Sequence, residues 1–403
     1  MKEVVIAGYL RTGQSRSKPS EPSRDWLGNL RADDMMERLL PEVIKRTGVN
    51  PEEIDDFIVG SGWGVSENFT LGGRCPLFMA NLPYRIAAKF VDQACGTSMA
   101  SIHIGAMEIQ TGNADAVMVA GMEHLTRVPM GMTLFEKGII SPNMRLFSEE
   151  QYKHWDMITT FNMGLTAEKL FTQTEFTRED MDAWGVRSHR LACQAQQDGF
   201  FSEEIMPVEA PQADGSMLRV DKDQGVRENL TMEDMAKLKP AYKPDGAITA
   251  GNSSPLSAGV SSMILMEKEF ARKKGIKPLA TIRSIGFVGV DPTIMGIGPV
   301  PSSRKALKLA GLDVKDIDYW EINEAFSIVA LYAIKELGID PEYVNVMGGG
   351  LAIGHPMGAS GIRITGTLAR ILGKKGARYG VATMCCGGGQ GVATVIEREA
   401  YNF

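Results

Sequence analysis

Four short stretches carry residue types whose spacing suits chemistry. In Val91-Asp92-Gln93-Ala94-Cys95-Gly96-Thr97-Ser98 a cysteine follows a strand-like run (84–91) and precedes a small-residue, helix-like run (98–107). A thiol at a strand-to-helix junction faces the unpaired N–H groups of the first turn and the positive end of the dipole, which favour the thiolate. The second stretch, 347–361, sets His355 in a glycine-rich loop directly before Pro356, which holds its backbone extended while the glycines admit close neighbours. In the third, Cys385-Cys386-Gly387-Gly388-Gly389-Gln390-Gly391 follows a strand pattern at 379–384, and such a turn can aim backbone N–H groups at an oxyanion. The fourth, Trp320-Glu321-Ile322-Asn323-Glu324-Ala325-Phe326, offers Asn323 either as a helix cap or as an amide that holds a water or a carbonyl oxygen. Read singly, Cys95 is also a plain buried hydrophobe and His355 a structural residue. Together they suit acyl transfer: one cysteine attacks a thioester, a histidine takes its proton, turn amides bind the oxyanion, and the second cysteine moves a proton at carbon.

Elements able to position these groups recur along the chain. Strand patterns at 4–7, 57–60 and 116–120 alternate with a helix pattern at 33–49, whose Met36, Leu39, Leu40, Val43 and Ile44 share one face. That order is α/β. Residues 124–250 differ: helix patterns at 166–171 and 178–198 are joined by polar stretches such as 212–229, which reads as an insertion. The first pattern then returns. Ile54 in Pro51-Glu52-Glu53-Ile54 matches Ile317, and Val117 matches Val381, at spacings of 263 and 264 residues. Two related halves with an insertion between them follow, and Cys95 shifted by that spacing falls in the His355 loop.

Bulk properties bound the alternatives. The 403 residues suffice for two or three domains, and 44% hydrophobic with 23% charged residues is ordinary for a globular protein. The net charge of -6 argues against nucleic acid as a partner, and no apolar run approaches membrane-span length. Five cysteines at spacings that fit neither a disulfide framework nor a metal site point to a reducing compartment, hence the cytoplasm.

Taken together, the four stretches resemble the thiolase family, the coenzyme A-dependent 3-oxoacyl thiolases and acetyl transferases. The resemblance spans the chain and includes Ala7-Gly8-Tyr9-Leu10-Arg11-Thr12, Val128-Pro129-Met130, Met163-Gly164-Leu165-Thr166-Ala167-Glu168, Thr249-Ala250-Gly251-Asn252-Ser253-Ser254 and Gly296-Ile297-Gly298-Pro299-Val300-Pro301. It implies Cys95 as the acyl-accepting nucleophile, His355 as its activator and Cys385 as the acid and base at the acetyl carbon. Asn323 would hold a water that shares a first oxyanion hole with His355, and the N–H groups of Cys95 and Gly387 would form a second. Ser254 and Arg227 would contact coenzyme A, and Met163 would line the pantetheine channel.

The implied fold is a duplicated α/β one, two βαβαβαββ halves in a five-layered α/β/α/β/α sandwich with an inserted loop domain. Its halves would be 1–123 plus about 251–276, and 277–403, with 124–250 inserted. No permanently bound cofactor or metal is expected, only coenzyme A and acyl-CoA. A homodimer or homotetramer and a β-oxidation multienzyme partner complete the picture.

Three departures from the family pattern stand out: Asp92-Gln93 where Asn-Arg is common, Cys386 where an aliphatic residue is usual, and Asn162 where short-chain members often carry His. With Glu123-His124 and the run at 291–296, Asn162 favours degradative 3-oxoacyl thiolysis over an acetoacetyl-CoA-specific acetyltransferase. A condensing enzyme of the ketoacyl or hydroxymethylglutaryl synthase type is disfavoured by the Asn-Glu-Ala-Phe and Cys-x-Gly-Gly-Gly blocks. A non-catalytic acyl-CoA-binding subunit is disfavoured by the intact catalytic blocks. Chain-length preference is expected to reside in 132–155.

Overall fold

The computed structural model describes residues 1–128, 130, 138 and 140–399, so Pro129 and most of 131–139, at the start of the segment expected to read chain length, lie outside the described residues. The strands are β1 (Val4–Arg11), β2 (Ser15–Arg16), β3 (Asp56–Gly60), β4 (Ala87–Val91), β5 (Ala116–His124), β6 (Val208–Pro211), β7 (Met217–Val220), β8 (Ser257–Glu267), β9 (Ala280–Gly289), β10 (Tyr319–Ile322), β11 (Tyr379–Cys386) and β12 (Gln390–Arg398). The main sheet runs β10-β11-β12-β9-β1-β8-β5-β3-β4, with β2 against β8. β1 and β9 meet over only three residue pairs, Val4–Ile6 with Ile282–Ala280, and on either side of that seam the strand order repeats: β3 corresponds to β10 and β5 to β11. β5 is buried at every position, as its unbroken apolar run requires when both faces of a sheet are covered.

Helices supply the covering layers. α1 (Ala32–Thr47) packs on β1, β5 and β8 from outside, through the apolar face that the periodicity predicts. It stops short of the expected end at Val49, because Gly48 takes φ +77° and its N–H caps the Ile44 carbonyl. α2 (Thr97–Gln110) and α7 (Met357–Lys375) pack on each other and touch strands of both halves, so they form the middle layer. α5 (Pro299–Ala310) covers β9 and β12 on the far side. The site's Cys95 and His355 stand immediately before the two central helices, at corresponding places in the two halves.

The insertion carries α3 (Met163–Phe171) and α4 (Arg178–Gln197). It also carries the β6–β7 hairpin, so part of the stretch read as a polar connection is strand: Val208, Ala210 and Val220 are buried while their neighbours face out. A fully buried Arg11 ties the insertion to β1, donating to Glu204 (2.7 Å) and to both oxygens of Asp223 (2.7 and 3.0 Å). Losing one member of such a network strands a charge, at about 3–5 kcal/mol.

Candidate active site

Cys95 lies in a single 3-10 turn, Ala94–Gly96, between β4 and α2. Ala94 adopts φ +47°, a left-handed conformation that costs a residue with a Cβ about 1–3 kcal/mol. Three hydrogen bonds hold it there: the Ala94 N–H donates to Asp92 (3.1 Å), the Thr97 hydroxyl donates to the Ala94 carbonyl (2.7 Å), and the Gln93 N–H donates to that hydroxyl (2.9 Å). The tight turn lifts the thiol toward the opposite half. The backbone N–H groups of Cys95 itself and of Gly387 lie near enough to its sulfur to favour the charged form.

The thiol is not a resting thiolate. Burial pushes its pKa up to about 11, with the backbone N–H groups of Gly387 and Cys95 pulling it down and the charge of Glu123 adding to the rise. This corrects the expectation drawn from the helix terminus: a partial charge at a short turn cannot repay removal of a thiolate from water. Cys95 alkylation by iodoacetamide should therefore accelerate about tenfold per pH unit from pH 7 to 10, because the thiolate fraction scales that way below the pKa. A rate independent of pH over that range would reveal a resting ion pair.

His355 is buried, and its neutral form is enforced. Desolvation and then the nearby Arg363 charge lower its pKa to about 3. Its tautomer is set by Ser360, whose hydroxyl donates to the Pro356 carbonyl (2.9 Å) and so accepts from His355 Nδ1–H at 2.6 Å. The Nε2 lone pair is left facing Asn323, whose side-chain amide donates to it at 3.3 Å. Asn323 does not cap a helix: α6 (Ser327–Leu337) starts four residues later, and Asn323 Oδ1 is buried with no donor among the described residues. The backbone N–H of His355 donates to Ser257 at the start of β8 (3.0 Å), pinning the loop to the first half.

Adjacent residues of β11 point to opposite faces, and that separates the two cysteines. Cys385 lies among Ala325, Phe326 and Met163, and a thiolate on Cys95 would raise its pKa, which burial has already driven up. Cys386 packs behind the nucleophile turn: a Cβ on Gly96 would come within 2.4 Å of its sulfur, so only glycine fits there. The two thiols thus lie on opposite faces of β11, and a charge on Cys95 would raise both. Met163 borders the same space, its sulfur 3.4 Å from where a Cβ on Gly387 would lie.

Several supporting groups escaped the sequence reading. Gln93 donates to Gln390 (2.9 Å), which in turn donates to the Gly387 carbonyl (3.3 Å), coupling the nucleophile turn to the glycine turn. Glu123 is fully buried and accepts from Ser61 (2.9 Å), Gly62 (2.8 Å), Asn68 (2.9 Å) and Gly358 (3.1 Å). Burial pushes its pKa up to about 7 against the pull of those donors. It joins β3, β5 and the start of α7 beneath the thiol. Glu324 does the same for the histidine loop, accepting from Trp184 (2.9 Å), Ser188 (2.7 Å) and Asn345 (2.8 Å).

Farther out, Arg227 lines a narrow pocket with Arg16, His189, Gly251 and Pro255. The pKa of Arg16 is lowered by burial and by the Arg227 charge, and neither guanidinium has a carboxylate partner among the described residues. Two unpaired guanidiniums in one pocket make an anion site. Ser254 adjoins Pro255 and donates its N–H to the Ala325 carbonyl (2.9 Å), so it lies between that pocket and the Asn323 block.

Comparison with known proteins places relatives along the whole chain. A family model described as the thiolase N-terminal domain matches residues 4–269, and one described as the thiolase C-terminal domain matches 276–398. A 3-ketoacyl-CoA thiolase from Marinobacter nauticus is 40% identical over 98% of each chain. The crystal structure of human mitochondrial 3-ketoacyl-CoA thiolase superposes with a TM-score of 0.87 at 31% identity, covering 99% of both chains. The Bacillus anthracis acetyl-CoA acetyltransferase structure gives 0.87 at 34%, again over 99% of both.

Proposed function

Since the chain belongs to the thiolase family, we propose that Cys95, His355, Cys385, Asn323 and the Gly387 turn are the machinery with which it carries out ping-pong acyl transfer. The protein is a coenzyme A-dependent thiolase, an acyltransferase with coenzyme A as co-substrate. In the cleavage direction Cys95 Sγ attacks C3 of a 3-oxoacyl-CoA while its proton passes to His355 Nε2. The C2–C3 bond breaks, its electron pair moves to C2 as an enolate, and the Cys385 thiol protonates C2 to release acetyl-CoA. The acyl group stays on Cys95 as a thioester. The thiol of free coenzyme A then gives its proton to the Cys385 thiolate and attacks the acyl carbon, and the Cys95 sulfur leaves and recovers its proton from His355 Nε2. Condensation runs through the same steps in reverse.

One observation supports this reading: the backbone N–H groups of Cys95 and Gly387 both lie near the nucleophilic sulfur, from where they can serve the oxygen of an acyl group carried on it. Each such donor contributes on the order of 3 kcal/mol to the transition state. Burial supports the order of events, since a neutral thiol and a neutral imidazole exchange a proton only when a negative tetrahedral centre forms beside them. The unpaired guanidiniums of Arg16 and Arg227 suit the phosphates of coenzyme A, with Ser254 and Met163 along its pantetheine arm.

The same reading includes domain limits at 123/124, 250/251 and 276/277, supported by the insertion's helices and hairpin falling between β5 and β8. It places the protein in the cytoplasm, in keeping with the free cysteines at 75, 95, 193, 385 and 386. It also includes a homodimer or homotetramer, for which the outer edge of β4 offers an unpaired strand, and a β-oxidation multienzyme assembly as the partner class.

Thiolysis of acetoacetyl-CoA and of the series from 3-oxooctanoyl- to 3-oxohexadecanoyl-CoA tests the activity. We expect turnover that favours substrates longer than acetoacetyl-CoA. A preference for acetoacetyl-CoA would identify an acetyl-CoA C-acetyltransferase, and calorimetric binding of acyl-CoA without turnover would identify a non-catalytic subunit.

A further inference from the structure

A fully buried arginine stands between the two elements that lead to His355 and Asn323, and no step of the acyl transfer employs it. Arg363 lies in α7 and Glu321 in β10, which pack on each other. Both side chains are closed off from solvent, and the guanidinium approaches the Glu321 carboxyl at 3.5 Å. The contact is bare. None of the three guanidinium nitrogens and neither Glu321 oxygen has a hydrogen-bond partner among the described residues. Burying a charge is costly unless hydrogen bonds and a counter-charge repay it, and apolar residues of similar volume commonly serve a fold as well or better. Packing alone therefore does not account for a guanidinium here.

The register of the two elements aims the charge. Residues three apart share a helix face, so Arg363 follows Ser360 by one turn on the same side of α7, and Ser360 holds His355 Nδ1–H. On the strand side, Glu321 comes two residues before Asn323, whose amide meets His355 Nε2. The Arg363–Glu321 contact thus runs beside the Ser360–His355–Asn323 line.

The surroundings leave the positive charge dominant. Burial pushes the Glu321 pKa up to about 8 against the pull of Arg363, with Glu324 and Glu204 adding to the rise. Near neutral pH the Glu321 carboxyl therefore holds its proton, and the guanidinium charge stands uncancelled where the dielectric is low. From β1, Tyr9 faces the same charges, with Arg11 beyond it on Glu204. Other titratable neighbours of the Cys95–His355 dyad, Glu123 beneath the thiol and Cys385 and Cys386 on β11, carry no positive charge.

Building on the thiolase reading, we propose that Arg363 is a positioning residue: its charge keeps the Cys95–His355 dyad uncharged at rest, so that the nucleophile forms only once a thioester oxygen can take up negative charge. The same field returns the proton from His355 to Cys95 when the acyl group leaves. Glu321 is the neutral neighbour that lets the guanidinium be buried without quenching it.

The test follows alkylation of the Cys95 peptide by iodoacetamide from pH 7 to 9, read by mass spectrometry. The wild-type rate should rise about tenfold per pH unit, as for a thiol without a resting ion pair. Arg363→Met removes the charge and admits the thiolate–imidazolium form, so the rate at pH 7 should rise about fivefold or more and the slope should drop to about threefold per unit or less. Arg363→Lys keeps the charge and should restore the wild-type slope. Glu321→Gln breaks the same contact yet keeps the guanidinium, so its slope should match the wild type. Should Arg363→Met fail to fold, the uncharged double variant Glu321→Gln with Arg363→Met takes its place and is read in the same way. A wild-type slope in the variant lacking the guanidinium would overturn the proposal, as would equal flattening in Arg363→Met and Glu321→Gln, which would make the contact a structural tie. A flat wild-type profile would overturn it too. Thiolysis of acetoacetyl-CoA and 3-oxooctanoyl-CoA by the wild type is measured alongside, and no turnover of either would remove the thiolase reading itself.

Discussion

Replacement of Cys95 by alanine is expected to lower thiolysis by at least about 10⁴-fold, because removing the nucleophile abolishes the acyl-enzyme and leaves only binding and the oxyanion donors. The fold should survive. Cys95 behaves in packing as a small buried side chain beside Met99 and Met357, and alanine keeps its Cβ. The strained Ala94 turn rests on Asp92 and Thr97 rather than on the thiol. Cys95→Ala should therefore bind acyl-CoA with little change and show a near-native melting temperature while failing to turn over. Turnover within tenfold of wild type would sink the mechanism.

The second large effect separates the two adjacent thiols of β11. Cys385→Ala should lower thiolysis of a 3-oxoacyl-CoA by about 10²–10⁴-fold, the range that a positioned general acid contributes, because the departing enolate has no proton donor. Acylation of Cys95 by acetyl-CoA breaks no carbon–carbon bond and needs no proton at carbon, so radiolabelled acetyl-CoA should still label the variant at Cys95. Cys386→Ala lies on the other face of β11, behind Gly96, and should retain most of its turnover. If Cys386→Ala failed and Cys385→Ala worked, the assignment of the base would be reversed.

The chemistry-bearing residues were legible because each is marked locally: a cysteine before a helix, a histidine locked by glycine and proline, a cysteine before three glycines. The duplication was legible for a similar reason, since matching strands keep a constant spacing. Groups whose roles arise only in three dimensions were hidden. Glu123 gathers donors from the loop after β3 and from α7, segments as far apart as Ser61 and Gly358. Ser360 fixes the His355 tautomer from the next turn of helix, and nothing about a serine in that stretch announces it. The Gln93–Gln390 bridge spans the two halves. The direction of the Cys95 shift was misread because the helix terminus is visible in sequence and the depth of burial is not. The β6–β7 hairpin was missed because its strands are only four residues each, too short for alternation to stand out.

The central claim is that the acyl group passes through Cys95, and mass spectrometry of the protein quenched in acid during turnover of 3-oxooctanoyl-CoA tests it most directly. The account predicts a hexanoyl adduct on the peptide containing Cys95, absent from Cys95→Ala and discharged when coenzyme A is added. An adduct on Cys385 or Cys386, or steady turnover with no adduct on any cysteine, would contradict it.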